Sequence, residues 1–366
     1  MEVYPSSVGS GSGTTRTAWP PEQKSGALLE QSKSASPWAD SEGAENDLLD
    51  VSCGTEPVRI PTTGLSASHL ASLSRFDRYI TDSVLPDGTP ISLARPPSGL
   101  QDDEDSDRDE MVLLVNAWVT LVSSRSRRSG TKADRDLGNF YSDTLEAPGG
   151  LLEQLLNLDA LPERWPLVEC SPDCLCARTC GNRLTQGGVR VPLTIRPVPQ
   201  AGLCLFYSPS TSCDLPRGSF VSLYAGEYLT TSQARSRWSS AVKAEEGEGN
   251  YILTLREPGL VLHIDPRRYG NIGRFMNHSC DPNCVIQVVR WGAGSWPRAA
   301  IFRSIAPDEE LTFDYGNASG SGRSIADGQK GSKGSEVADD VAGERRTSCF
   351  CGSERCRGWM PFDETL

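Results

Sequence analysis

The chain has no apolar run long enough to span a bilayer, although 37% of its 366 residues are hydrophobic. Residues 1–14 contain no apolar core of the kind that a secretory signal requires. We therefore expect the twelve cysteines to lie in a reducing compartment. In such a compartment, clustered cysteines indicate metal ligands rather than disulfides.

Positive charge is also scarce, because 36 lysines and arginines face 48 aspartates and glutamates and the formal net charge is −12. An acidic chain binds nucleic acid poorly without sequence specificity, and no direct sequence-specific binding is expected either. Its charge suits a basic partner, such as a peptide tail rich in lysine and arginine. No membrane partner is expected.

The N-terminal part is poor in aromatic residues and rich in Gly, Ser, Thr and Pro. This composition predicts that residues 1–65 are disordered. Residues 66–164 are difficult to assign as a whole. Within them, leucines recur at helical spacing after a Gly-Gly pair and predict a short helix over 151–156.

From Val189 onward, short β-rich runs alternate with Gly and Pro, which predicts a β-rich fold. One helix-like stretch, at about 231–244, interrupts the runs. A Gly-, Ser- and Lys-rich segment at 317–346 has no apolar period and is predicted to be a flexible insertion. The predicted strands lie at 189–195, 220–225, 251–255, 261–264, 285–289, 299–302 and 311–315.

The cysteines form two clusters. The first places four thiols within eleven residues in the pattern C-x3-C-x-C-x3-C, which can close around a tetrahedral zinc ion. The alternative is a set of reduced, unligated thiols. The second has three thiols and leaves a tetrahedral zinc one ligand short. The clusters are Cys170, Cys174, Cys176 and Cys180, and then Cys349, Cys351 and Cys356.

Three motifs follow one another in order: GRFMNHSCDPNC at 273–284, ELTFDYG at 310–316, and the second cysteine cluster. Together they resemble the SET domain of protein-lysine methyltransferases, over roughly residues 165–366. The resemblance implies a β-rich α+β fold of small β-sheets with a threaded (pseudoknot) active site and Cys-rich zinc motifs on both flanks. It assigns 188–316 to the SET domain and 347–366 to the post-SET zinc motif.

The first cluster and the residues GNRLTQ after it resemble the end of the pre-SET motif, at 165–187. This motif occurs in enzymes that methylate lysine 9 of histone H3. In those enzymes, nine cysteines hold three zinc ions. The first five of the nine are missing from this chain, since only Cys53 lies upstream of the cluster and it is far away. We expect one zinc or a partly degenerate site. For the second cluster, the resemblance supplies Cys280 as the fourth ligand, which would hold the tail over the active-site segment.

The resemblance implies methyl transfer from S-adenosylmethionine to a lysine amine. At an ordinary pKa of about 10.4 the amine is protonated, so a site must desolvate, deprotonate and align it. Tyrosine hydroxyls can do this while their rings wall a narrow channel. Phe313 would gauge the channel width, and a phenylalanine there is associated with higher methylation states. The implied catalytic residues are Tyr315, Tyr224, Tyr251 and Phe313.

A second set would bind the cofactor, with His278 acting chiefly through its backbone rather than as a base. Cys204 stands where the family has the second glycine of a Gly-x-Gly loop, so its β-carbon is expected to weaken cofactor binding or to shift the loop. The implied set is Gly202, Leu203, Cys204, Tyr251, Arg274, Asn277 and His278.

The sequence thus favours a histone-lysine methyltransferase that is nuclear and chromatin-associated, with the histone H3 tail or the nucleosome as its partner. Tyr315, Asn277 and Phe313 support this hypothesis. A rival hypothesis is a non-catalytic chromatin-binding module that keeps the fold and zinc sites; Cys204 and the shortened pre-SET motif favour it. A third is a methyltransferase of a non-histone protein lysine.

Overall fold

The structure is a computed structural model that describes residues 49–74, 77–92, 141, 145–146, 152–160, 166–178, 180–210, 213–243, 251–257, 260–292, 295–305, 309–317 and 348–361. The first 48 residues of the predicted disordered region lie outside this range. So does the predicted insertion, from residue 318 on. Among the described helices, none has the length and apolar character needed to cross a membrane.

Short strands dominate the described residues, and two α-helices accompany them, α1 at Ala67–Ser74 and α2 at Thr231–Lys243. The strands are β1 Arg78–Tyr79, β2 Leu145–Glu146, β3 Leu152–Glu153, β4 Leu167–Glu169, β5 Leu193–Val198, β6 Gly202–Tyr207, β7 Leu215–Tyr224, β8 Glu227–Leu229, β9 Leu253–Glu257, β10 Leu260–Asp265, β11 Tyr269–Gly270, β12 Asn277–His278, β13 Cys284–Trp291, β14 Pro297–Ile305 and β15 Thr312–Phe313.

A four-stranded sheet in the order β4-β13-β14-β7 contributes buried side chains to both of its faces. Side chains alternate along its strands, so Val221 and Ile301 join one hydrophobic cluster while Phe220 and Phe302 join another. The first cluster is the larger and extends to the tyrosines of the candidate site. The sheet therefore connects the main core to the position of the predicted active-site residues.

Smaller sheets surround this one. β5 pairs with β6, β10 lies between β8 and β9, and β1 pairs in parallel with β11. Strands occur within each predicted β-rich run, although their bounds shift by several residues in some cases. The predicted helix at 231–244 is confirmed by α2. The β-rich α+β class is confirmed as well.

The prediction that disorder extends to residue 65 is wrong for the segment from Leu49 on. Val51 and Ile60 are completely buried, and Asp50 bridges to Pro61 across a turn. The Asp50 carboxylate accepts backbone hydrogen bonds within the turn, including one of 3.0 Å from Ile60. Gly and Ser content suggested a disordered chain, but these few apolar residues bury enough surface to fix the segment on the core.

The predicted helix at 151–156 is also wrong. Leu152 belongs to β3, which pairs with β2, and Leu156 forms an isolated bridge with Tyr141. The Leu156 N–H donates to the Gly218 carbonyl at 2.9 Å, so its backbone is bound to β7 instead of to a helical turn. Leu156 is 2% exposed, which shows that its burial comes from tertiary packing.

Two buried carboxylates share arginine partners beside the three-stranded sheet. Arg237 on α2 contacts Glu227 at 2.7 Å and Asp265 at 3.0 Å, and Arg267 contacts Asp265 at 2.8 Å. Burial by itself would raise the pKa of Asp265, but hydrogen bonds and charges from Arg267 and Arg237 outweigh it and lower this pKa. These pairs fix α2 to β8 and β10.

We expect Arg237→Leu to lower the free energy of unfolding by about 3 kcal/mol, because it leaves two buried carboxylates without that partner. Since the folded pKa of Asp265 is depressed, its contribution is present at neutral pH. It should be lost as pH falls below about 4, the ordinary range for aspartate. Urea unfolding at several pH values measures both effects.

Arg268→Leu is the matched control, because its pair with Asp77 is exposed and should contribute under about 1 kcal/mol. Equal losses for the two variants would contradict the prediction.

Candidate active site

The two central motifs, far apart in sequence, meet as neighbouring strands. β12 pairs in parallel with β15, with Asn277 opposite Thr312 and His278 opposite Phe313. The Ser279 N–H then donates to the Phe313 carbonyl at 3.2 Å. A parallel pair needs a long crossover, and β13 and β14 with their connections provide it here. The predicted threaded arrangement of these two motifs is confirmed.

Tyr315 lies two residues after the end of β15 and contacts both motifs. Its hydroxyl donates to the Met276 carbonyl at 2.9 Å, and its N–H donates to His278 Nδ1 at 3.3 Å. Its ring lies 4.8 Å from that of Phe313. Burial raises the pKa of Tyr315, and the neighbouring Tyr251 adds to the effect. The phenol therefore stays protonated at neutral pH, with its proton directed to a backbone carbonyl.

Tyr224 contacts both Phe313 and Tyr251. The Tyr224 hydroxyl donates to the Tyr251 carbonyl at 2.6 Å, and the Tyr224 and Phe313 rings meet edge to face at 6.1 Å. The guanidinium of Arg274 lies 4.8 Å from the Tyr251 ring centroid. Burial also raises the pKa of Tyr224. The four predicted catalytic residues thus form one aromatic group, which Arg274 borders.

The predicted cofactor loop starts β6. Gly202 is exposed with a φ of 80°, and a β-carbon there would meet nothing within 4 Å, so the loop leaves open space at this position. Leu203 is partly buried against the main core. Cys204 is fully buried and pairs with Arg196 in regular antiparallel register. Its backbone φ is not positive, so no glycine conformation is required of it. Weaker cofactor binding through Cys204 stays a prediction.

Asn277 and His278 face different neighbours. Asn277 Nδ2 donates to Cys204 Sγ and to Glu310 Oε1, both at 2.9 Å. His278 contacts Cys280 Sγ through Nε2 at 3.3 Å. Burial lowers the pKa of His278, which the Asp314 charge opposes. The imidazole is therefore neutral at pH 7, and its proposed role through the backbone rather than as a base stays a prediction.

The post-SET cysteines converge on the active-site segment. The sulfurs of Cys280, Cys349, Cys351 and Cys356 all lie within 4.8 Å of one another. Burial opposes ionisation of Cys351, but backbone hydrogen bonds and the neighbouring thiols lower its pKa to about 6. Four converging sulfurs, one of them easily ionised, fit a tetrahedral zinc ion.

The tail makes further contacts beside this cluster. Arg357 donates to Asp314 Oδ1 at 2.7 Å, and its backbone N–H lies 3.4 Å from Cys280 Sγ. Pro361 packs so closely on Gly316 that a β-carbon on this glycine would lie 2.9 Å from it. The tail is thus attached directly to the residues that flank Tyr315.

The pre-SET cluster is less complete. The sulfurs of Cys170, Cys174 and Cys176 lie within 4.8 Å of one another, but Cys180 does not complete this group. Arg183 Nε donates to Cys176 Sγ at 3.4 Å, so this sulfur lies beside a positive charge. Three thiols fit zinc with one ligand to be supplied, and Cys180 as that ligand stays a prediction.

Three residues that contact the site were not among the predicted site residues. Glu310 accepts from Asn277, Asp314 accepts from Arg357, and the Met276 carbonyl accepts from Tyr315. All three lie inside or beside the two quoted motifs, so motif membership could have suggested them. Their contacts depend on the β12–β15 pairing, which sequence spacing does not reveal.

Comparison with known proteins identifies the family. Residues 210–316 match the family described as SET domain. The probable histone-lysine N-methyltransferase set-23 of Caenorhabditis briggsae is 36% identical over 205 residues, which cover 54% of this chain and 73% of that protein. The chain belongs to the SET-domain family.

Other comparisons agree in fold. The histone-lysine N-methyltransferase SETMAR of Rattus norvegicus is 36% identical over 208 residues, 55% of this chain and 61% of that protein. The chain therefore spans less than two thirds of this relative. The crystal structure of the methyltransferase domain of human SETMAR superposes with a TM-score of 0.56 at 25% identity, covering 86% of this chain and 98% of that one. The SET fold predicted from the motifs is confirmed.

We expect about two zinc ions per chain, one for each cysteine cluster. The post-SET set already provides four sulfurs and should keep its metal longer during stepwise chelation than the three-sulfur pre-SET set. Elemental analysis after each addition of chelator measures this. Cys351→Ala should remove one zinc, and Cys53→Ala, at an exposed turn, should remove none. Three or more zinc ions in the natural chain would contradict the count, and none would contradict both sites.

Proposed function

We propose that this protein is an S-adenosylmethionine-dependent protein-lysine N-methyltransferase that acts on histone tails, with histone H3 as the favoured target. The observation that carries the proposal is the aromatic group around Phe313. In it, Tyr315 and Tyr224 both direct their hydroxyl protons to backbone carbonyls.

This arrangement determines what the two hydroxyls can do. Because each hydroxyl has one proton and that proton is donated to a carbonyl, the oxygen offers lone pairs to a ligand in the channel. The raised pKa values keep both groups neutral, so neither acts as a phenolate base. Such oxygens can accept hydrogen bonds from a lysine amine and orient its lone pair toward the methyl donor.

Deprotonation of the lysine follows from the same surroundings. Transfer of an ammonium group into an aromatic channel disfavours its charged form and lowers its pKa. The Phe313 and Tyr315 rings, with centroids 4.8 Å apart, would line this channel and exclude water. The amine would release its proton to water as it enters the channel, before the rings exclude solvent and before methyl transfer. Its neutral form would stay hydrogen-bonded to the tyrosine oxygens.

The cofactor would supply an electrophilic methyl group on sulfonium sulfur, and the chain's residues would orient it. Gly202 leaves open space at the start of β6, and the amide of Asn277 lies next to that strand through its contact with Cys204. The polar side chain suits the amino-acid part of the cofactor. Arg274 would hold Tyr251 in place beside it.

Histone H3 is favoured for two reasons. The truncated pre-SET motif resembles that of enzymes acting on lysine 9 of this histone, and the net charge of −12 suits a basic tail. A histone substrate also implies a nuclear, chromatin-associated protein.

The test is transfer of radiolabelled methyl groups by the purified full chain onto histone tail peptides, each with one lysine replaced by arginine. We expect label on H3 peptides and its loss in a single replacement. Labelling of H4 or of non-histone proteins only would contradict the H3 assignment. Cofactor binding without transfer to any protein lysine would instead support the non-catalytic module.

A further inference from the structure

Glu310 is held between the cofactor loop and the turn after β12. Its backbone bridges to Phe206 on β6, and its carbonyl accepts from Asn283 Nδ2 at 2.6 Å. The next residue, Leu311, donates its N–H to the Leu205 carbonyl at 2.8 Å. Contacts on both sides thus fix the backbone from which the Glu310 side chain reaches the candidate site.

The Glu310 carboxylate orients the side-chain amide of Asn277. An amide has a donor end, Nδ2, and an acceptor end, Oδ1, whereas an ionised carboxylate can only accept. Since Glu310 Oε1 lies 2.9 Å from the amide, the donor end must face it. The opposite orientation would place two acceptors together. The Asn277 amide therefore has one favoured orientation.

Cys204 supports the same orientation. Its sulfur lies 2.9 Å from Asn277 Nδ2, so Nδ2 has two acceptors and Oδ1 faces away from both. Burial and the Glu310 charge raise the pKa of the Cys204 thiol to about 12. The thiol therefore stays protonated, and its sulfur acts as a weak acceptor rather than as a second negative charge.

A fixed amide distinguishes the two charged groups of an amino acid. An α-ammonium group has only donors and requires an acceptor, while a carboxylate has only acceptors. We propose that Glu310 is a positioning residue that presents Asn277 Oδ1 to the α-ammonium group of the cofactor; this rests on the proposed cofactor. The carboxylate acts through Asn277 and does not itself bind the ammonium group.

Comparing the affinities of two ligands distinguishes this positioning role of Glu310 from general damage to the site. The first is S-adenosylhomocysteine, and the second is its analogue in which hydrogen replaces the α-amino group. Calorimetry on the full zinc-loaded chain measures both affinities, and thermal melting verifies that each variant is folded. Glu310→Ala should weaken binding of the first ligand about tenfold, as the loss of one hydrogen bond to a charged group does. It should change binding of the second less than about twofold.

Conservative variants test the mechanism. In Glu310→Gln the new amide oxygen can still accept from Asn277, so affinity should stay within about threefold of the natural chain. Asn277→Asp places two carboxylates together and should weaken binding. The double variant, Asn277→Asp with Glu310→Gln, should recover much of the lost affinity. In it, the introduced glutamine amide donates to the introduced aspartate carboxylate.

The outcomes divide clearly. Equal losses of affinity for the two ligands in Glu310→Ala would overturn the inference. It would also be overturned if Glu310→Gln bound S-adenosylhomocysteine no better than Glu310→Ala, because this result would indicate direct contact of the Glu310 charge with the ammonium group. No rescue in the double variant would also count against it. Absence of any binding of S-adenosylhomocysteine by the natural chain would overturn the proposed cofactor itself.

Discussion

Tyr315→Phe is expected to reduce methyl transfer about a hundredfold or more, the usual scale for losing a positioned proton-transfer or hydrogen-bonding group. The substitution removes the oxygen that would accept from the lysine amine. It also leaves the Met276 carbonyl without its hydroxyl donor. The ring that packs on Phe313 and His278 is kept, so the fold should be kept as well.

Single-turnover methyl transfer separates this effect from substrate affinity. Binding of S-adenosylhomocysteine should change less than about threefold, because the phenol is not among the groups proposed to hold the cofactor. Tyr269→Phe is the matched control: it removes a hydroxyl from β11, outside the aromatic group, and should leave the rate unchanged. A Tyr315→Phe rate equal to that of the natural chain would exclude this residue from the transfer step.

The sequence indicated which residues would lie close together better than it indicated their contacts. Tyr315, Phe313 and Asn277 lie in short contiguous motifs, so local order alone indicated a common site. The pairing of β12 with β15 brings together residues that lie 35 positions apart, Asn277 with Thr312 and His278 with Phe313. Only the resemblance to the family implied that threading, because long-range parallel pairing has no local sequence signal.

The errors have a common physical origin. Composition suggested disorder over 49–65 and periodicity suggested a helix near Leu156, but both segments pack on strands of the larger fold. Local propensity is a weak predictor where tertiary burial decides the conformation. Likewise, the role of Glu310 depends on a side chain reaching Asn277 across 33 positions of sequence.

Removal of residues 349–366 is expected to reduce methyl transfer by more than about tenfold while the melting temperature falls only a few degrees. The described part of this tail contributes no residue to either buried hydrophobic cluster, so the core should survive its loss. Its contacts are instead with the active-site segment. Loss of three cluster sulfurs would leave Cys280 without its proposed metal. Loss of Arg357 would remove the arginine partner of Asp314, next to Tyr315.

Point variants identify which part of the tail matters. Trp359 is 54% exposed, and we predict that this aromatic side chain covers the lysine channel. If the tail acts as a lid that the zinc cluster holds in place, Cys280→Ala and the truncation should lose similar activity. Trp359→Ala should lose part of the methyl-transfer activity but retain its zinc, and Cys53→Ala should lose no activity. Melting curves and methyl transfer on the same preparations measure this. Full activity of the truncated chain would refute the lid, because exclusion of water from the channel could not then depend on the tail.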